Sequence, residues 1–160
     1  MTTQAKRIQV LPIVIISLAV VAISVLGNLA TDSQSDWYRS LNKPSWNPPS
    51  WIFAPVWTTI YVLLIISASI AWHKTTGSER WSVMRLYVLN GVFNAAWSFC
   101  FFQAQSTMLG MLDIILVWVT VILLMLRTWR YSKLASLLLL PYLIWVMFAS
   151  ALNAAIVANN

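Results

Sequence analysis

Apolar residues gather into five long stretches separated by short polar or basic breaks, at about 8–27, 51–72, 85–102, 108–126 and 134–157. Each approaches the ~20 residues that carry an α-helix across a hydrocarbon core ~30 Å thick. The pattern predicts an all-α polytopic membrane protein. It would be a single transmembrane domain over 1–160, built as a five-helix bundle with one structured loop at 28–50. The other connections are short. An odd number of spans without a clear repeat argues against an inverted duplication. The first stretch follows Lys6 and Arg7, as a signal peptide would. Its apolar run is too long for a signal h-region and lacks a small-x-small cleavage site, so an uncleaved first helix is expected.

The long loop runs into the second stretch as LNKPSWNPPSWIFAPVWTTIY, residues 41–61. Pro44, Pro48 and Pro49 fix φ and remove backbone donors, which makes the segment stiff and non-helical. Trp46, Trp51 and Trp57 place large flat side chains at the loop and at the head of the next helix. Such a segment suits a lid, with Trp46, Pro48 and Pro49 covering an aromatic pocket.

Composition agrees with a membrane setting: 60% of residues are hydrophobic, 9% are charged and the mean hydropathy is +0.76. A soluble domain carries roughly 25% charged residues. The single cysteine, Cys100, excludes an intramolecular disulfide and a cysteine-based zinc motif. The net charge of +6 invites a nucleic-acid reading, but the basic residues stand singly between apolar stretches without forming a basic face, so topology accounts for them better. Lys6, Arg7, Lys74, Arg80, Arg85, Arg127, Arg130 and Lys133 fall on one side, while only Arg39 and Lys43 fall on the other. In a bacterial cell membrane this places the N-terminus in the cytoplasm and the C-terminus outside.

Asn90, Asn94, Asp113 and Asn153 lie within spans, where a polar group is costly unless satisfied. At 1.5 Å per residue, Asn94 sits about 12 Å, Asp113 about 8 Å and Asn153 about 6 Å from the ends nearest the long loop. Trp57 reaches a similar level. Asn94 and Asn153 suit helix–helix hydrogen bonding, and Asp113 suits a structural partnership more than a proton relay, for which no second acid or histidine is present in the spans. Trp57 and Tyr61 share a helix face, as do Trp145, Ala149 and Leu152. The small Ala149 leaves room beside the Trp145 ring. Gly91 and Ala95 form a small-xxx-small pair, which serves a homodimer or packing within the bundle equally well. His73, the only histidine, follows Trp72 at a span boundary and suits a surface position. With one histidine, neither a Ser-His-Asp set nor a paired-histidine metal motif can be built, and no Gly-rich phosphate loop is present.

These residues resemble the translocator protein family, TspO, also described as tryptophan-rich sensory or peripheral benzodiazepine receptor-related proteins. The resemblance runs from Trp37-Tyr38 through Leu41, Lys43-Pro44-Ser45-Trp46, Pro48-Pro49, Phe53, Pro55-Val56-Trp57 and Tyr61. It continues with Asn94, Trp97-Ser98, Phe101-Phe102 and Asp113, and closes with Pro141-Tyr142-Leu143, Trp145, Phe148-Ala149 and Leu152-Asn153. Departures are Ala54, where many members have Gly, and Asn90, where glutamine is frequent. Residues 152–159 lack the Tyr and Arg of the animal cholesterol motif, although Leu126, Tyr131 and Lys133 fit a looser pattern.

The resemblance implies a bundle, often dimeric, whose pocket is covered by the first loop. It implies porphyrins such as protoporphyrin IX or haem as ligands rather than a required cofactor, together with isoquinoline or benzodiazepine drugs and membrane lipid. By position, the implied pocket residues are Trp57, Tyr61, Asn94, Trp97, Trp145, Ala149 and Leu152. The leading expectation is a tetrapyrrole-binding membrane protein that senses, transports or sequesters porphyrins. A light-dependent porphyrin-degrading enzyme using Trp57 and Trp145, or a small lipid or sterol transporter, are the alternatives.

Overall fold

The computed structural model describes residues 10–160. Lys6, Arg7 and the first two residues of the expected first span lie outside the described residues. Five long helices run up and down: α1 (Val10–Ala30), α3 (Phe53–Lys74), α4 (Gly77–Ser98), α5 (Thr107–Trp129) and α7 (Leu140–Asn159). Two five-residue helices join them, α2 (Asp36–Ser40) in the long loop and α6 (Lys133–Leu137) ahead of α7. No strand occurs among the described residues. In hydrocarbon every backbone polar group must be paired internally, so β-branched runs such as VIISLAVVAISV in α1 are helical despite their weak intrinsic propensity. The hydroxyls follow the same rule: Thr58 and Thr59 donate to the carbonyls of Ala54 and Pro55, one turn back.

Helix ends follow local chemistry. Ser35, Ser106 and Ser132 accept hydrogen bonds from the amides of Tyr38, Leu109 and Ala135 and so start α2, α5 and α6. The connection from α3 to α4 is only Thr75 and Thr76, followed by Gly77 at φ +53°, a backbone angle that glycine adopts without penalty. Arg80 Nε and Nη2 both donate to the Thr75 carbonyl, at 3.0 and 2.7 Å, and brace this turn.

Two spans differ from the sequence expectation. The third, expected at 85–102, begins at Gly77, so Arg80 lies within the helix rather than in a connection and Arg85 lies two turns inside it rather than at its edge. Its first turns carry Glu79 and Arg80, which hid them from an apolar count. The same span stops at Ser98 and continues as a π-turn over Phe99–Gln103, closed by Ala104 N donating to Phe99 O at 2.8 Å. The fifth, expected as one run at 134–157, is divided at Leu138–Leu139 into α6 and α7, with Pro141 in the first turn of α7. Among the described residues four spans are long and apolar enough to cross a membrane; α4 matches them in length but not in apolarity.

In the bundle α4 lies between α1 and α5, α7 packs on α5, and α1 packs on α3. The main core is Ile60 and Leu64 of α3, Ile114, Val117, Val121 and Leu124 of α5, with Leu139, Tyr142 and Val146 around α7. The outer faces stay apolar and exposed, as at Leu18, Val62, Leu116 and Ile144, and these form the lipid-facing surface.

Candidate functional site: stacked aromatic layers beneath the loop

The loop and the C-terminus occupy one end of the bundle, and Lys74, Arg80, Arg127, Arg130 and Lys133 cluster toward the other. The loop is fastened at Asn42. Its amide donates to Asn160 Oδ1 at 3.0 Å, its side chain donates to Asn159 O at 3.3 Å, and its carbonyl accepts from both asparagine side chains. Lys43 Nζ donates to the Tyr38 carbonyl and lies 4.4 Å from the centroid of the Tyr38 ring. Asn47 N donates to Pro44 O and Ile52 N to Pro49 O, two turns that the prolines pre-form. Pro48 and Pro49 thereby bring the chain across the bundle end, with Trp46 turned down onto Phe148 at 5.8 Å between centroids.

Below the loop the rings form two layers. In one, Trp145 lies 5.6 Å from Phe53 of α3 and 5.4 Å from Phe148, which Trp46 covers. In the other, Trp97 stacks on Phe101 at 5.0 Å and meets Phe102 edge-on, while Trp37 and Tyr38 reach the same pair from α2. The π-turn lets the neighbouring Phe101 and Phe102 both be buried. Leu152 and Ile156 close this second layer. Each ring pair adds about 0.5–1.5 kcal/mol beyond area burial, so the two layers cohere largely through ring–ring contact.

A polar layer forms the floor. Tyr61 Oη donates to Asn94 Oδ1 at 3.1 Å, and Asn94 Nδ2 donates to Tyr142 Oη at 3.0 Å, which ties α3, α4 and α7 together. Trp57 stacks on Tyr61 at 5.5 Å and meets Tyr142 edge-on at 6.1 Å. Asn90 lies one turn further from the loop and donates to Thr120 Oγ1 at 2.9 Å.

The structure therefore brings Trp57, Tyr61 and Asn94 into one contact set and Trp97 and Leu152 into another, with Trp145 beside Phe53 and Phe148. Ala149 packs with Trp145 against the main core. Asn153 joins helices as the sequence suggested, donating to Thr107 O at 2.9 Å and accepting from Trp97 Nε1 at 3.4 Å. Asp113 is buried, and its Oδ2 has no hydrogen-bond partner. Gly91 and Ala95 face α1 of the same chain: a Cβ on Gly91 would meet Ile23 Cδ1 at 2.4 Å, and Gly27 lies over Ala95. That face is filled by packing within the bundle, and a homodimer would need another surface.

Tyr142, Phe53 and Phe148 are contributors that site reasoning from sequence passed over. Tyr142 had a visible signal, since a phenol deep in a span needs a partner and Asn94 lies at a matching depth. Among the described residues no group of three or more His, Cys, Asp or Glu is arranged to hold a metal ion.

The TspO/MBR family profile matches residues 14–158. The chain is 41% identical over 143 residues to the tryptophan-rich protein TspO of Chlorobaculum tepidum, covering 87% of this chain and 89% of that one. It is 41% identical over 152 residues to the tryptophan-rich protein TspO of Archaeoglobus fulgidus, covering 94% and 98%. The human translocator protein is 33% identical over 126 residues, covering 78% of this chain and 75% of its own length. A match that spans all five long helices and the aromatic layers they carry makes this chain a member of the TspO/MBR family of membrane proteins.

Proposed function

We propose that this protein binds a tetrapyrrole in the aromatic chamber beneath the loop and so senses, carries or sequesters porphyrins. The observation that carries the reading is the ring chain Trp46–Phe148–Trp145–Phe53 lying above the Trp57–Tyr61 stack. Flat rings hold these layers apart and together by weak, exchangeable contacts. A planar macrocycle replaces ring–ring contacts with ring–macrocycle contacts of the same kind, so little is lost on opening the chamber. The loop lifts to admit it. Its basic residues, Arg39 and Lys43, would exchange their contacts within the loop for propionates, and the Tyr61–Asn94–Tyr142 layer limits how deep the ligand goes. Isoquinoline- or benzodiazepine-type drugs fit the same slot as smaller flat ligands. The basic residues at the end away from the loop support a cytoplasmic N-terminus in a bacterial cell membrane.

The test is a protoporphyrin IX titration in detergent followed by tryptophan fluorescence in the dark. Saturable quenching weakened in Trp57→Phe and Trp145→Phe is expected. Unchanged affinity in both variants refutes the chamber as the site. A Soret band lost faster with protein than without it under light and oxygen would add a catalytic role for the same tryptophans.

A further inference from the structure

A cavity lies on the other side of the polar layer from the stacked rings. It encloses about 210 Å³ between α1, α3 and α4. Tyr61, Asn94 and Tyr142 form one end, and Trp72 and Trp81 form the other. At 1.5 Å per residue that distance is about 16 Å along α3 and about 20 Å along α4. Its walls between these ends are Leu64, Ala68, Met84 and Tyr87 on the inside and Ile16, Ala19 and Val20 of α1.

The opening is lateral. Ile15, Trp81 and Val88 line the cavity and are also exposed on the outer face, at 57%, 60% and 57%. The physical cause is the distribution of small residues along the α1–α4 contact. Gly27 against Ala95 and Gly91 against Ile23 let the helices close toward the loop. Nearer the basic end α4 presents Val88, Met84 and Trp81, and the helices part.

We propose that this cavity holds one acyl chain of an anionic phospholipid drawn from the leaflet at the basic end. The length supports a chain: one leaflet provides about 15 Å of the ~30 Å hydrocarbon core, close to the distance between the two ends. The walls are apolar, so the occupant must be so along most of its length. The headgroup position is supported by Arg85. This exposed arginine makes no hydrogen bond or ion pair among the described residues, and it lines a surface groove with Trp81, Met84, Val88, Leu89 and Val92 that is continuous with the cavity mouth. Trp81 and Trp72 stand beside it, and Arg80 lies 4.5 Å over the Trp72 ring. A guanidinium and tryptophans at the headgroup level receive a phosphate, with the second acyl chain following the groove past Val88 and Val92.

The test uses vesicles of phosphatidylcholine containing either a phosphatidylglycerol or a phosphatidylcholine probe with a diazirine on one acyl chain, with labelled peptides mapped after illumination. Labelling of Leu64 and Ala68 is expected, in addition to outward residues such as Val62 and Ile66. Ala19→Trp at the mouth, and independently Ala68→Phe inside, should abolish interior labelling and leave the outward labels. Arg85→Gln should lower interior labelling by the phosphatidylglycerol probe about five-fold, the weight of one basic side chain at an anionic leaflet. The phosphatidylcholine probe should be unaffected by that change. Labels confined to outward residues, or interior labels that persist in both filling variants, overturn the site. Equal labelling by the two probes in the native protein overturns the anionic headgroup.

Discussion

Replacing Asn94 by leucine removes the centre of the polar layer while nearly preserving side-chain volume. Two hydrogen bonds are lost, to Tyr61 at 3.1 Å and Tyr142 at 3.0 Å. Interhelical hydrogen bonds in membranes average about 0.6 kcal/mol each. The larger cost comes from the stranded phenols, about 1–3 kcal/mol for a buried hydroxyl without a partner. Tyr142 is 1% exposed and keeps Asn90 as a neighbour, whereas Tyr61 has no other hydrogen-bond partner. One stranded phenol plus one weakened one gives a loss of about 2 kcal/mol. The assay is denaturant unfolding in detergent with tryptophan fluorescence and circular dichroism. The decisive comparison is Asn94→Leu/Tyr61→Phe/Tyr142→Phe, in which every partner of the layer is apolar. This triple variant should be more stable than Asn94→Leu alone, because no stranded group remains. Additive losses across the three changes, or no loss in Asn94→Leu, refute the account of the layer as a coupled tie between α3, α4 and α7.

Three further outcomes follow from the loop and the helix contacts. Gly110→Ala should cost about 1–3 kcal/mol by overpacking, because the added carbon meets Phe101 Cδ2 at 2.8 Å and Asn153 Oδ1 at 3.1 Å; Gly91→Ala meets only the tip of Ile23 and should cost less in the same melt. Removing Asn159 and Asn160 takes away the partners of Asn42 and should speed proteolytic cleavage within residues 31–50 several-fold, with Asn42→Ala acting in the same direction; an unchanged cleavage rate removes this anchor from the loop's stability. Burial lifts the Tyr38 phenol above its ordinary value of 10.0, so the neutral form favours the closed loop. That contribution is complete below about pH 10 and is lost as pH rises through the folded value. Hydrogen exchange of the loop should accelerate above pH 10 in the native protein and less so in Tyr38→Phe.

How much of this was legible in the sequence depends on the kind of signal each element carried. Long apolar runs such as 8–27 and 108–126 revealed α1 and α5 directly, since hydrocarbon leaves the backbone no alternative. The start of α4 was obscured because Glu79 and Arg80 lie in its first turns, outside the apolar window although helical. The π-turn at Phe99–Gln103 carries no composition of its own; it is fixed by the packing of Phe101 and Phe102 under the loop, a tertiary contact that no local pattern reports. The same distinction divides the site. Depth alone put Trp57, Asn94, Asp113 and Asn153 at one level of the membrane, and the family resemblance added Tyr61 and Trp145. Partner choice was hidden: that Asn94 bonds Tyr142 and that Gly91 is spent on Ile23 follows from helix rotation, which spacing alone leaves free. The cavity between α1, α3 and α4 illustrates this most clearly. Each residue around it reads as ordinary lipid-facing or core side chain in sequence, and only the divergence of α1 from α4 beyond Gly91 makes them walls of one space.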